Sequence, residues 1–354
     1  MTRGTDVRGA VLQVAIVAIA VALLAGTATY AKKKKKQAAS EPAPVICYDV
    51  ALDGAVAYLG QTLGLSLWDL SDPMHPRATH RLELPAAVHG VVVRPPYVYL
   101  AAGAHGLYIA RLVEDGPPEF VSRFDTPGKV RHVRSIGDYV LVADEKHGLL
   151  VVDVSDPKRP LQKAKIPTRD MVRSISLWGD VVALAEGAAG VRLFDMSRPE
   201  RPIELALIRD VDDARDVDFD DRRLLVAAGK QGLRVYRFDK NWKAEFVADL
   251  AIRRSADYLG ADRNVVLVSN ATPTLFVVGL DEADRPALLT ETRLHRSAPI
   301  HRVHVNGTVA FAALDRAGLS LIDIADPLSP DVLLPRERRM NVIWPKRDPD
   351  GDER

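Results

Sequence analysis

The sequence predicts an all-β fold, a seven-bladed β-propeller built from four-stranded repeats of 42 residues. Three observations predict it. A segment running from Gly to Pro returns along the chain, as GLSLWDLSDPMHP at 64–76, GLLVVDVSDPKRP at 148–160, GVRLFDMSRPERP at 190–202 and GLSLIDIADPLSP at 318–330. Weaker copies open at Gly106, Gly232 and Thr274, so the step is 42 residues five times and 44 once. Each step also has room for four short strands separated by turn residues.

The chain before the repeats has a different character. Residues 9–31 (GAVLQVAIVAIAVALLAGTATYA) hold no charge, follow Arg3 and Arg8, and run into five lysines at 32–36. A stretch of that length is enough to cross a bilayer, so residues 1–31 are expected to form a transmembrane or signal-anchor helix. A cleaved signal peptide is the alternative. LLAGT at 23–27 is a lipoprotein-like site with Thr27 in place of the cysteine that lipidation needs. The lysines argue for a cytoplasmic propeller, because positive flanks stay inside. Residues 32–44 read as a Lys-rich, Pro-containing linker, 45–334 as the propeller and 335–354 as a charged C-terminal tail.

The best repeat shows how one blade forms. VRHVRSI at 130–136 alternates and stops at the turn pair Gly137-Asp138; YVLVA at 139–143 and GLLVVDV at 148–154 are nearly continuous in apolar residues. Continuous apolar character means that both faces are buried, as blade-on-blade packing requires. LQKAKI at 161–166 is the fourth strand and ends before Pro167. Between the third and fourth strands, Asp153 and the prolines at 157 and 160 make a turn: Asp bonds the backbone two residues on, and Pro fixes φ where no ladder donor is needed. The same arrangement recurs at Asp69, Asp195 and Asp323.

GLLVVDVSDPKRP, with LSLWD, VRLFD and LSLID as variants, resembles the repeat of the LVIVD-repeat proteins. The resemblance covers residues 45–334. It implies a β-propeller in a family associated with the cell surface or envelope, mostly without an assigned reaction. Arg111, Arg237 and Gly279 stand where the motif has Asp, so blades 2, 5 and 6 depart from it. Each blade is expected to be contiguous in sequence. Closure then rests on packing between blades 7 and 1, unless residues 335–345 or 41–45 supply a strap.

Composition excludes some functions. Net charge is +1, from 48 basic and 47 acidic residues, so no field recruits nucleic acid. Cys47 is the single cysteine, so no intrachain disulfide forms. No phosphate loop, catalytic triad signature or dinucleotide fingerprint is present, and neither a catalytic residue nor a cofactor is assigned.

The first strand of each propeller blade lines the central channel. One column at its opening holds Cys47, His89, Arg131, Arg173, Arg215, Asp257 and His301, between apolar columns on either side. Arg131, Arg173 and Arg215 fall on consecutive blades and are expected to bind an anion or an acidic partner at the channel mouth; local acids such as Asp170, Asp212, Asp213 or Asp216 are the competing partners. His89, His301 and Asp257 complete the mouth. Cys47, His89 and His301 are weak metal-ligand candidates.

The expected function is a non-enzymatic, membrane-tethered scaffold in the cell envelope. It would be a monomeric propeller that binds an unidentified protein or small anionic ligand at its mouth. The alternative is an envelope hydrolase or lyase that holds an anionic substrate on the arginine arc.

Overall fold

In a computed structural model, the described residues are 45–72, 75–221 and 223–333. The expected N-terminal helix, the whole linker at 32–44 and the C-terminal tail lie outside them. Among the described residues no helix is long and apolar enough to cross a membrane.

Among the described residues there are seven four-stranded antiparallel sheets, each contiguous in sequence and ordered first to fourth strand outward. Blade 1 runs from Cys47–Asp53 through Val56–Gln61 and Gly64–Asp69 to Arg77–Glu83, and blade 7 from Arg302–Asn306 through Val309–Leu314 and Gly318–Asp323 to Asp331–Val332. Burial follows strand order. The second strand of blade 4, Val181–Ala185, is buried throughout, whereas the fourth strand of blade 1, Arg77–Glu83, is exposed at every other residue. The core is therefore divided into seven apolar clusters, one at each interface between neighbouring blades. Blade-on-blade burial is the dominant favourable term in the fold.

Among the described residues the ring closes without an exchanged strand; the candidate straps at 335–345 and 41–44 lie outside them. Trp68 and Leu59 of blade 1 pack with Phe311 and Leu321 of blade 7 in one cluster. A main-chain bond supplements this packing, from Cys47 N to Asp315 O at 2.9 Å. The same bond joins every other neighbouring pair of blades: Val88 N to Gln61 O, Val130 N to Gly103 O, Val172 N to Glu145 O, Ala214 N to Gly187 O, Ala256 N to Gly229 O and Ile300 N to Thr272 O, at 2.8–3.2 Å. The closing interface is thus an ordinary one.

The motif aspartates act as their turn chemistry predicts. Asp69, Asp153, Asp195 and Asp323 each accept the amide two residues on, at 2.8–2.9 Å. Where Arg237 and Gly279 replace the aspartate, Asp239 and Asp281 take over two residues later and accept the amides of Asn241 and Ala283. The turn keeps its acceptor although the motif has lost its residue.

Candidate functional site

The mouth is set by a bulge. In blade 3 the pairing runs Val130 with Asp144 and then His132 with Ala143, leaving Arg131 unpaired. Blade 1 repeats this with Cys47 on Gln61 and Asp49 on Gly60, leaving Tyr48 unpaired. A bulge turns its extra residue away from the ladder, here into the channel opening. The mouth column is therefore Tyr48, His89, Arg131, Arg173, Arg215, Asp257 and His301.

Tyr48 replaces Cys47 in the predicted column. Cys47 sits one place back, 1% exposed in the cluster between blades 7 and 1, and burial pushes its thiol up. The slip has a local cause. Blade 1 reaches Gly64 eight residues after Val56, whereas blade 3 reaches Gly148 nine residues after Tyr139, so counting back by 42 from Gly106 or Gly148 lands one residue early. Counting from the turn pairs, Gly54-Ala55 and Gly137-Asp138, restores the register. With Cys47 withdrawn, the metal idea loses its thiolate, and among the described residues no group of three His, Cys, Asp or Glu is placed to hold a metal ion.

The mouth residues line a cavity of about 470 Å³, joined by Glu145 from the loop between the second and third strands of blade 3, and by Met171, Tyr258 and Arg302, which the sequence did not place there. Each arginine meets an acid. Arg131 Nε donates to Glu145 at 2.9 Å. Arg215 meets two acids, with Nε on Asp213 Oδ2 at 2.6 Å and Nη1 on Asp257 Oδ1. Arg173 reaches Asp213 only at 3.6 Å through Nη2. Three guanidiniums are thus matched by three carboxylates, and of the candidate local acids Asp213 is the one that pairs with them.

The opposite arc is aromatic. Tyr48 lies between His89 and His301, with ring centroids 4.5 and 5.7 Å away. Nε2 of His301 lies 3.0 Å from Asp315. Burial, with the charges of Arg131 and His301, pushes the His89 imidazole down to about 4, so the ring is neutral at physiological pH.

Below the mouth the lumen is polar and laced with side-chain to main-chain bonds. In blades 2, 4, 5 and 6 an amide on the free edge of the first strand is accepted by a side chain of the preceding blade. Asp49 takes Val91 N at 2.9 Å, His132 Nδ1 takes Ile175 N at 2.9 Å, Ser176 takes Phe219 N at 3.1 Å, and Asp216 takes Leu259 N at 3.1 Å. Arg302 spans this layer, donating to Asp216 at 3.1 Å and lying 3.8 Å from Asp49. Burial works against the Asp49 carboxylate, but its bond to His304 and the charges of Arg302 and Arg134 outweigh it and hold its pKa below the usual range. Glu186 is withdrawn into a buried pair with Arg192 at 2.7 Å.

One lumen acid is destabilising when charged. Burial, with a contribution from Asp216, pushes Asp218 up to about 6, although Ser176, Arg134 and the Ala261 amide oppose the shift. An acid harder to ionise in the folded than in the unfolded chain removes stability as pH rises from about 4 to about 6, and the loss is then constant. Asp218→Asn is therefore expected to gain melting temperature relative to wild type between pH 4.5 and 7.5. A pH-independent difference between the two would refute the assignment.

Comparison with known proteins agrees with this fold. A family model described as LVIVD repeat matches residues 127–168, one repeat of the seven. Among solved structures, the chain is similar to the computationally designed Ika8 protein, with a TM-score of 0.60 at 9% identity over 78% of this chain and 82% of that one. It is also similar to the structure of U3-55K, with a TM-score of 0.58 at 14% identity over 72% and 82% of the two chains. The crystal structure of RRP9 WD40 repeats gives a TM-score of 0.58 at 15% identity over 72% and 81%. At such identities the likeness is one of fold. No curated protein matches the chain.

Proposed function

Because the chain is an LVIVD-repeat β-propeller, we propose that it works as a binding scaffold that engages a protein partner or small ligand at its channel mouth. The observation that supports this is the cavity of about 470 Å³, into which residues from all seven blades project. Concave sites with a few converging polar groups are where ligands bind. Arg131, Arg173, Arg215, His89, His301 and Asp257 are the proposed contact set, joined by Tyr48. Arg215 serves to position: its bonds to Asp213 and Asp257 hold both acids, and Asp213 is the one that lies beside Arg173. The uncharged run at 9–31 would tether the scaffold to a membrane.

A pull-down from membranes tests the reading, using the full-length chain beside an Arg131→Ala/Arg173→Ala/Arg215→Ala variant. Partners lost with the triple variant support the mouth. Partners unchanged in identity and amount would move the binding surface elsewhere.

A further inference from the structure

The mouth is divided into two unlike halves. Blades 7, 1 and 2 contribute His301, Tyr48 and His89, with the Tyr48 ring against both imidazoles, while blades 3, 4 and 5 contribute Arg131, Arg173 and Arg215. In a seven-fold ring these arcs lie opposite each other, with blade 1 across from the boundary between blades 4 and 5. A ligand seated between them meets ring faces on one side and guanidinium edges on the other.

Charge decides what kind of anion this accommodates. Glu145, Asp213 and Asp257 neutralise the three arginines, so a polyanion finds no excess of positive charge. Donor capacity is another matter. Arg131 commits Nε to Glu145, and Arg173 makes a single long contact of 3.6 Å, so guanidinium donors on two adjacent blades stay available to a ligand. Side-chain exposures of 49% and 39% put both within reach from the mouth. Arg215 has both its acids close and offers little more. The site can therefore take one carboxylate across Arg131 and Arg173, with a flat body against Tyr48 and His89. Aromatic pairs in offset or edge contact gain energy beyond the area they bury, a gain that a puckered aliphatic ring forgoes.

We propose that the channel mouth binds a small aromatic monocarboxylate, its carboxylate held by Arg131 and Arg173 and its ring packed on Tyr48 and His89. The proposal rests on the mouth being the binding face, and it names the ligand class. The test titrates benzoate, cyclohexanecarboxylate, acetate and inorganic phosphate into the full-length protein in detergent, followed by calorimetry or ligand-observed NMR.

Benzoate is expected to bind at least about 10-fold more tightly than acetate or phosphate, a gap of about 1.4 kcal/mol. Arg131→Ala/Arg173→Ala is expected to weaken benzoate at least about 10-fold. Tyr48→Leu should lower benzoate to the affinity of cyclohexanecarboxylate while leaving acetate unchanged. Equal affinities for benzoate and cyclohexanecarboxylate in the wild type overturn the ring contact. Tightest binding by phosphate overturns the monocarboxylate class. Binding by no probe overturns the proposal, yet the scaffold reading survives if the membrane pull-down still depends on the mouth arginines. Benzoate binding unaffected by either variant overturns both the proposed site and its ligand.

Discussion

Asp216→Ala is expected to destabilise the propeller by about 3–5 kcal/mol, the largest effect of any single charge removal in the lumen. Asp216 is 2% exposed and has two tasks. It accepts the Leu259 amide on the free edge of blade 6, and it pairs with Arg302 at 3.1 Å. Removing it leaves a buried guanidinium whose remaining carboxylate, Asp49, is 3.8 Å away, and an amide facing the channel without its acceptor. An uncompensated buried charge is far more costly than a missing pair. The double variant Asp216→Leu/Arg302→Met is therefore expected to recover much of the loss, because it removes both charges together. Denaturant midpoints of the three proteins measure this. A loss below about 1 kcal/mol for Asp216→Ala would show that water replaces the carboxylate and that the lumen is wetter than its burial implies.

Gly148→Ala is expected to cost about 2–4 kcal/mol, from the combination of backbone strain and a collision. Gly148 opens the third strand of blade 3 at φ +97, and a Cβ there would stand 2.2 Å from the Ile166 carbonyl oxygen at the end of the fourth strand. The carbonyl belongs to the ladder and cannot move without breaking it. Gly137 in the same blade is the internal control. Its φ is +51, but a Cβ would meet nothing within 4 Å, so Gly137→Ala should cost only about 1 kcal/mol. Comparing the two variants separates the collision from the conformational preference. Equal losses would mean that strain alone explains why the motif begins with glycine. Gly64, Gly106, Gly190 and Gly232 repeat the geometry, with virtual Cβ contacts of 2.1–2.3 Å to a fourth-strand carbonyl.

These glycines show why so much of the architecture could be read in advance. The Gly-to-Pro segment is defined by contacts within one blade: the third strand's opening against the fourth strand's end, and Asp153 against the Ser155 amide. Such contacts span fewer than 20 residues, so each repeat carries its own instructions and repetition makes them visible. Even the departures stayed local, with Asp239 and Asp281 moving two residues along to fill the same turn. The candidate site was legible in part for a related reason. The position opening each first strand keeps one orientation from blade to blade, so a column read down the repeats found six of the seven mouth residues. Blade 1 broke the rule because its loop after Gln61 is a residue short, which exchanged Tyr48 for Cys47.

By itself, then, the sequence determined the number of blades, the order of their strands, the turns and most of the mouth's composition, because each depends on residues close together in the chain. Tertiary structure alone decided how the mouth's charges are paired. It set which acid caps Arg173 and Arg215, placed Tyr48 between two imidazoles, and matched Arg302 with Asp216, 86 residues away, and His304 with Asp49, 255 away. Those partners meet only once seven wedges have closed into a ring, since closure brings the first strands of different blades around one lumen, and no period along the chain encodes which side chains will then face each other.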